Sequence, residues 1–237
     1  MPHDISEPLL RKALVDASLE LVRRGLNEGT AGNVAVRHGD GLLITPSGIP
    51  PDATTPRMIA AMALDSDGTA HGPKKPSSEW RLHRDILLHR PDVGAVVHTH
   101  STYATVLACQ HRPIPALHYM IAAFGVPEIR CTPYVPFGTQ DLSDLIIEHL
   151  GQGHGVLLGN HGMVATGSDL SQALWRAVEL ESLARMFYLA TAGGGTPVLL
   201  ADDEIASTIA RFATYGMTAR REPADVPPRT TTRRPRA

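Results

Sequence analysis

The chain has 237 residues, of which 43% are hydrophobic, and 22 basic against 24 acidic side chains give a formal charge of −2. These are the proportions of one sizeable folded domain, and they offer no electrostatic case for a nucleic-acid or membrane-surface partner. No apolar run approaches a bilayer span, the N-terminus lacks the pattern of a signal peptide, and Cys109 and Cys131 form no short-spaced pair, so a reduced, cytoplasmic protein is expected.

From Ser6 to Gly25 apolar residues recur at three- and four-residue steps, as an amphipathic helix requires. Two short apolar runs, 33–36 and 42–45, flank a HGDG turn and read as a hairpin. Residues 58–64 are expected to form a strand. Ser77 or Ser78 is a natural N-cap for a helix running to His89. The β-branched segment 93–100 reads as a buried strand leading into a helix near 101–109, followed by an irregular, proline-rich stretch from 112 to 138. A helix over 141–150, a buried strand over 155–158, a long helix over 169–191 and a last helix from Asp202 to Tyr215 complete the pattern. From Arg221 onward the composition is Pro, Thr and Arg without an apolar face, which predicts a disordered basic tail over 221–237 behind one domain at 1–220. A short solubilising tail accounts for those arginines without invoking nucleic acid. Hairpin-paired strands mixed with helices indicate an α/β layered domain.

The only lysines are Lys12, Lys74 and Lys75. Lys12 falls on a polar helix face and the other two in a Pro/Gly-flanked loop, so none suits Schiff-base catalysis, which needs a desolvated amine.

Metal chemistry is the better candidate. In VVHTHS, His98 and His100 stand two apart on an expected strand, so both imidazoles project from one side and can chelate an ion. His161 follows another buried strand in VLLGNHGMV, where Gly159 and Gly162 allow a sharp turn. Three neutral imidazoles with an open position suit a catalytic Zn²⁺ site; twelve histidines in one chain also make chance pairs common. His38, His83, His89 and His111 read as surface or capping groups. Glu79 opens the helix after Ser77 and Ser78, where the helix dipole alone favours a carboxylate; its functional alternative is a base poised between a metal and a carbon-bound proton.

Three segments offer anion donors without lysine: the glycine-rich turn Gly29–Asn33, the hydroxyl-bearing turn Thr45–Gly48, and Ser77–Ser78 at a helix start. Each alone is ordinary turn or cap chemistry. Converged, they would hold a small dianion one residue from Glu79.

Taken in order, GLNEGTAGNVAVR, LLITPSGIP, KPSSEWRLH, AVVHTHS, HYMIAAFG, PYVPFGT, NHGMVA and ALWRAVELES resemble the class II aldolase/adducin family from about residue 8 to 217. The resemblance implies a single α/β domain, a central and largely antiparallel sheet between helical layers in three-layer αβα order. It also implies a cyclic homotetramer with active sites at subunit interfaces. It puts one Zn²⁺ per subunit on His98, His100, His161 and Glu79, with Glu79 then acting as the base. It assigns phosphate contacts to Asn33, Ser47, Gly48, Ser77 and Ser78 with Thr30 nearby, proton donation to Tyr119 of a neighbouring subunit, and the aldehyde end to Phe137 and Tyr215. The implied reaction is reversible aldol cleavage of a ketose 1-phosphate, L-fuculose 1-phosphate foremost, to dihydroxyacetone phosphate and a small aldehyde, L-lactaldehyde in that case.

HTH, TPSG and NHG stand where the family's fuculose-cleaving members carry HNH, TPTG and HHG. HTHS also occurs in the family's ribulose-phosphate 4-epimerases and methylthioribulose-phosphate dehydratases, so those activities, or cleavage of another deoxy- or methylthio-ketose phosphate, are the alternatives. The epimerases carry SSD where this chain has SSE. A non-catalytic, adducin-like head would be expected to lack the histidines or the glutamate.

Overall fold

Alternation of side chains along the strands builds two cores on opposite faces of one sheet. The structure, a computed structural model, describes residues 6–212. The strands are β1 (Asn33–His38), β2 (Gly41–Ile44), β3 (Ala60–Ala63), β4 (Ala70–His71), β5 (Ala95–Thr99), β6 (Gly155–Leu158) and β7 (Gly162–Gly167). They form one seven-stranded sheet in the order β4-β3-β2-β1-β5-β7-β6, and each neighbouring pair is antiparallel.

The helices are α1 (Glu7–Arg23), α2 (Trp80–His89), α3 (Thr102–Cys109), α4 (Gln140–Leu150), α5 (Leu170–Ala192) and α6 (Asp202–Phe212). Val34, Val36, Leu43, Ala95, Val97 and Ala165 point to the face covered by α1, α3 and α5, where Leu14, Leu107 and Leu180 meet them. Ala35, Leu42, Ile44, Val96, Val156 and Val164 point the other way, onto Ile86 of α2 and Ile146 of α4. The result is the three-layer αβα domain with a central antiparallel sheet that the sequence led us to expect. Each fully buried Leu or Ile contributes roughly 1.5–3 kcal/mol, so a one-residue register slip, which would turn both faces over, is strongly disfavoured.

Local signals set most boundaries. Pro8 in the first turn and Gly25 in a left-handed conformation (φ 69°) bracket α1. Thr139 caps α4 by accepting from the Leu142 amide, and Asp169 caps α5 by accepting from that of Gln172.

Several elements differ from expectation, the two-residue strand β4 in a segment without a strand signal among them. The strand at 58–64 is shorter, because Pro56–Met58 forms a 3₁₀ turn and only Ala60–Ala63 joins the sheet. The strand β7, paired between β5 and the edge strand β6, is one that the glycine-flanked GMVATG concealed. A 3₁₀ segment, Tyr119–Phe124, lies within the stretch read as irregular. Helix α2 begins at Trp80, with Glu79 itself at the N-cap position and neither serine there. The last three residues expected in α6, Tyr215 among them, and the tail at 221–237 lie outside the described residues. No described helix is long and apolar enough to cross a membrane.

Candidate metal centre and anion cradle

β5 alternates Val96 and His98 onto the α2 side of the sheet, so His98 emerges beneath the residue that opens α2. His98 is fully buried, and its Nδ1 faces the carbonyl of Met163 on the adjacent β7 at 2.9 Å. That bond puts the ring proton on Nδ1 and aims the Nε2 lone pair inward, the usual means of orienting a metal-ligating imidazole. His100 lies one residue past the end of β5 and is exposed at the mouth. Helix α3 starts just beyond it, held by Glu181 of α5, whose carboxylate accepts from the Tyr103 and Ala104 amides at 2.8 and 2.9 Å.

His161 is carried by the three-residue turn between β6 and β7. Here the glycines act differently from the expected sharp turn: the left-handed residue is Asn160 (φ 53°), whereas Gly162 serves for close approach. A Cβ on Gly162 would stand 2.4 Å from the Thr99 carbonyl oxygen and 2.9 Å from the His100 ring. The three imidazoles are mutually edge-on, with centroids 4.8–4.9 Å apart.

Glu79 closes the cluster. Its Oε2 lies 3.2 Å from His98 Nε2 and its Oε1 3.2 Å from His161 Nε2. Ligand atoms of Glu79, His98, His100 and His161 all fall within 4.8 Å of one another. His98 Nε2 and His100 Nε2 are only 3.0 Å apart, and Glu79 Oε1 is buried without a hydrogen-bond partner. Lone pairs crowded on one point in this way fit a divalent cation, and a His₃-carboxylate set is a zinc-type donor set. Burial pushes the Glu79 carboxyl up, but the His98 and His161 rings beside it reverse this and hold it below the ordinary carboxylate range. Burial lowers His98, and the Glu79 charge outweighs it, leaving that ring raised. Burial and the two neighbouring rings take His100 down to about 4.

A cavity of about 360 Å³ opens over this cluster, bordered by His100, His161 and Glu79 on one side and by Thr30, Ser47, Gly48, Ser77 and Ser78 on the other. The cradle is assembled by backbone bonds: Ser47 N–H donates to Lys75 O at 3.1 Å, and Ser77 N–H to Thr45 O at 3.0 Å. These stitch the 45–48 turn, in which Gly48 takes φ 67°, to the start of α2. Ser77 Oγ accepts from the Glu79 amide at 3.2 Å.

Asn33 lines this cavity as well. Both ends of its amide are engaged: Nδ2 donates one N–H to Glu79 Oε2 at 2.9 Å and keeps a second, and Oδ1 accepts from His83 Nε2. His83, read from sequence as a surface or capping group, is instead wholly buried behind Asn33. The overlooked signal was its spacing, four residues after Glu79 and therefore on the same side of α2. Phe137 sits on the cavity rim, brought there by Gly138, whose carbonyl accepts from Arg81 at 3.0 Å. Tyr134 and Asn160, not singled out in the sequence, share that rim. Tyr119 does not border the cavity of its own chain; it is exposed in a separate groove with Met120 and Trp175. Tyr215 lies outside the described residues.

A buried carboxylate and three imidazoles gathered within 4.8 Å could hold a metal ion, and they border a cavity that also carries Ser47, Ser77 and Ser78. The family model for the class II aldolase and adducin N-terminal domain matches residues 12–188. The chain is 49% identical over 207 residues (87% of this chain, 92% of the relative) to the 5-methylthioribulose-1-phosphate/5-deoxyribulose-1-phosphate aldolase of Rhodospirillum rubrum. It is 46% identical over 209 residues (88% and 96%) to the L-fuculose phosphate aldolase of Escherichia coli strain K12. Among solved structures, an L-fuculose 1-phosphate aldolase superposes with a TM-score of 0.83 at 33% identity, over 90% of this chain and all of that one. The Thermus thermophilus enzyme of that name gives 0.68 at 27% identity, over 80% and 98%. The chain belongs to the class II aldolase and adducin family, and it is a metal-dependent aldolase, a carbon–carbon lyase.

Proposed function

We propose that this aldolase binds zinc and reversibly cleaves a ketose 1-phosphate whose far end is apolar. L-Fuculose 1-phosphate is the first candidate, yielding dihydroxyacetone phosphate and L-lactaldehyde. The observation that carries the reading is the double position of Glu79, a member of the His₃-carboxylate cluster and the residue immediately after the two serines of the anion cradle.

His98, His100 and His161 would hold the ion with Glu79 as fourth ligand at rest. Bound there, it supplies Lewis-acid polarisation of the substrate carbonyl and stabilises the negative charge that carbon–carbon cleavage leaves on oxygen. Ser47, Gly48, Ser77 and Ser78 bind the phosphate, with Asn33 and Thr30 beside them, and so fix which carbon faces Glu79. In the synthetic direction Glu79 takes a proton from the phosphate-bearing half. Its Oε1 is the oxygen suited to this, because Oε2 is occupied by Asn33. Tyr119 of a neighbouring subunit protonates the aldehyde oxygen, within a homotetramer whose active sites lie at subunit interfaces; the exposed ring of Tyr119 beside Trp175 supports such a contact. Phe137 and Tyr215 border the aldehyde. The two free cysteines suit a cytoplasmic setting.

A second substrate reading, a 5-deoxy- or 5-methylthio-pentulose 1-phosphate, is favoured by the 49% relative of that name and by the exposed rings of Tyr134 and Phe137 on the cavity rim. The deciding experiment measures dihydroxyacetone phosphate released from each of the three ketose phosphates, after chelation and again after zinc restoration. Zinc-restored release from L-fuculose 1-phosphate at the highest kcat/KM supports the first reading. Preference for the pentuloses supports the second. No free dihydroxyacetone phosphate from a zinc-loaded protein would reject both in favour of epimerase or dehydratase chemistry.

A further inference from the structure

Helix α2 holds a polar side chain that the chemistry above does not use. His83 is 0% exposed, and its Nδ1 is buried with no hydrogen-bond partner. An apolar residue of this size would fill the site without leaving a nitrogen unpaired. The ring's one bond is from Nε2 to Asn33 Oδ1, and the far end of that amide is bonded to Glu79 Oε2 at 2.9 Å. The chain has a direction. A carboxylate only accepts, so Asn33 must turn Nδ2 toward Glu79, which leaves Oδ1 for His83 and requires the proton of His83 on Nε2. Burial, reinforced by His98, takes the His83 pKa to about 3, so the ring is a neutral donor.

We propose that His83 is a positioning residue: through Asn33 it holds the Glu79 carboxylate with Oε2 occupied, so that Oε1 is the oxygen available for proton transfer. The proposal rests on Glu79 acting as the base. The carboxylate already selects Nδ2, and the His83 N–H adds to that selection: turned over, the Asn33 amide would set donor against donor at His83 as well as oxygen against oxygen at Glu79.

His83→Leu is expected to lower kcat about 10–100-fold, the cost of disordering a hydrogen bond to a charged group, with KM for the ketose phosphate and zinc stoichiometry unchanged. His83→Gln, which can present an amide N–H in place of Nε2, should recover kcat to within about threefold of the parent. In an Asn33→Ala background, His83→Leu should cost nothing further, since the link is already cut. Equal losses from His83→Leu in both backgrounds would overturn the proposal. If His83→Leu does not fold, nitrogen-15 spectra of the imidazoles in the intact metal-free and zinc-loaded protein provide the test. An Nε2-protonated His83 in both states is expected, and an Nδ1-protonated ring would overturn the link. Full turnover by Glu79→Gln would instead remove the base reading itself, whereas additive losses alongside an inactive Glu79→Gln would remove only the part of His83.

Discussion

Asn33 of β1 lies directly across the sheet from His98 of β5, and both side chains converge on one oxygen, Oε2 of Glu79, at 2.9 and 3.2 Å. The pairing register of two antiparallel strands thus sets the position of a carboxylate carried by a helix. A one-residue slip of β1 against β5 would turn Asn33 to the face opposite His98 and dismantle the cluster along with the core.

Glu79→Gln is nearly isosteric and leaves three imidazoles. It should retain zinc and lower aldol turnover about 10²–10⁴-fold, the range for loss of a general base. Zinc content by elemental analysis beside dihydroxyacetone phosphate release checks this. Near-parental rates would remove Glu79 from the role.

Ser47→Ala and Ser78→Ala each delete a hydroxyl on the cavity wall that is proposed to bind the phosphate. Each should raise KM about tenfold, equivalent to about 1.4 kcal/mol, with a smaller effect on kcat. Inhibition by inorganic phosphate should weaken in parallel. Unchanged KM and unchanged phosphate inhibition would place the anion elsewhere.

His98→Ala removes the ligand that the Met163 carbonyl orients. Zinc at a hundredfold excess over Kd should stabilise the parent by about 2.7 kcal/mol and this variant far less. Thermal unfolding with and without zinc measures the difference. Equal zinc-induced shifts in Tm would show that the ion binds outside the cluster.

His154 predicts a pH effect on stability. Burial and then the nearby Arg176 and Arg90 charges lower its pKa from 6.5 to about 4, while its Nδ1 bonds Thr166 Oγ1 at 2.9 Å. The unfolded chain therefore takes up the proton first as pH falls. The stabilisation is complete above pH 6.5 and is lost progressively toward pH 4, amounting to at most about 3 kcal/mol. His154→Asn, which keeps a polar partner for Thr166 but does not titrate, should flatten the fall in Tm over that window. An unaltered slope would assign the acid sensitivity to other groups.

Tyr119→Phe should impair turnover without loss of zinc. If Tyr119 serves a neighbour's cavity, mixing Tyr119→Phe chains with Glu79→Gln chains should regenerate sites that hold both intact residues. Recovered activity in the mixed oligomer is the expected outcome, and none after confirmed subunit exchange would refute service in trans.

Much of the fold was legible because its signals are local. The helical period of α1 and α5, the hairpin at 39–40 and the β-branched run before His98 each announce themselves within a dozen residues. β7 did not, because GMVATG carries Gly162, which the close approach to the Thr99 carbonyl demands, and Gly167, set against the backbone at the start of α5, and sequence reading takes such glycines for a loop. The site divides the same way. The two-residue spacing of His98 and His100 is a local property of a strand, and the serines before α2 are a local property of a helix start.

What the sequence determined by itself was therefore the ligand types, the lack of a lysine suited to Schiff-base chemistry and the order of motifs that marks the family. The motifs singled out His98, His100 and His161 among twelve histidines, and the tertiary structure is what brings them together. His161 reaches His98 because β7 pairs with β5, and His83 leaves the surface because α2 packs its inner face on the sheet. The contact between Asn33 and Glu79 was decided there too, because the register that sets Asn33 opposite His98 brings its amide to that carboxylate. Such pairings are made between residues 46–65 positions apart, a separation at which no periodicity in the chain records which side chains will touch.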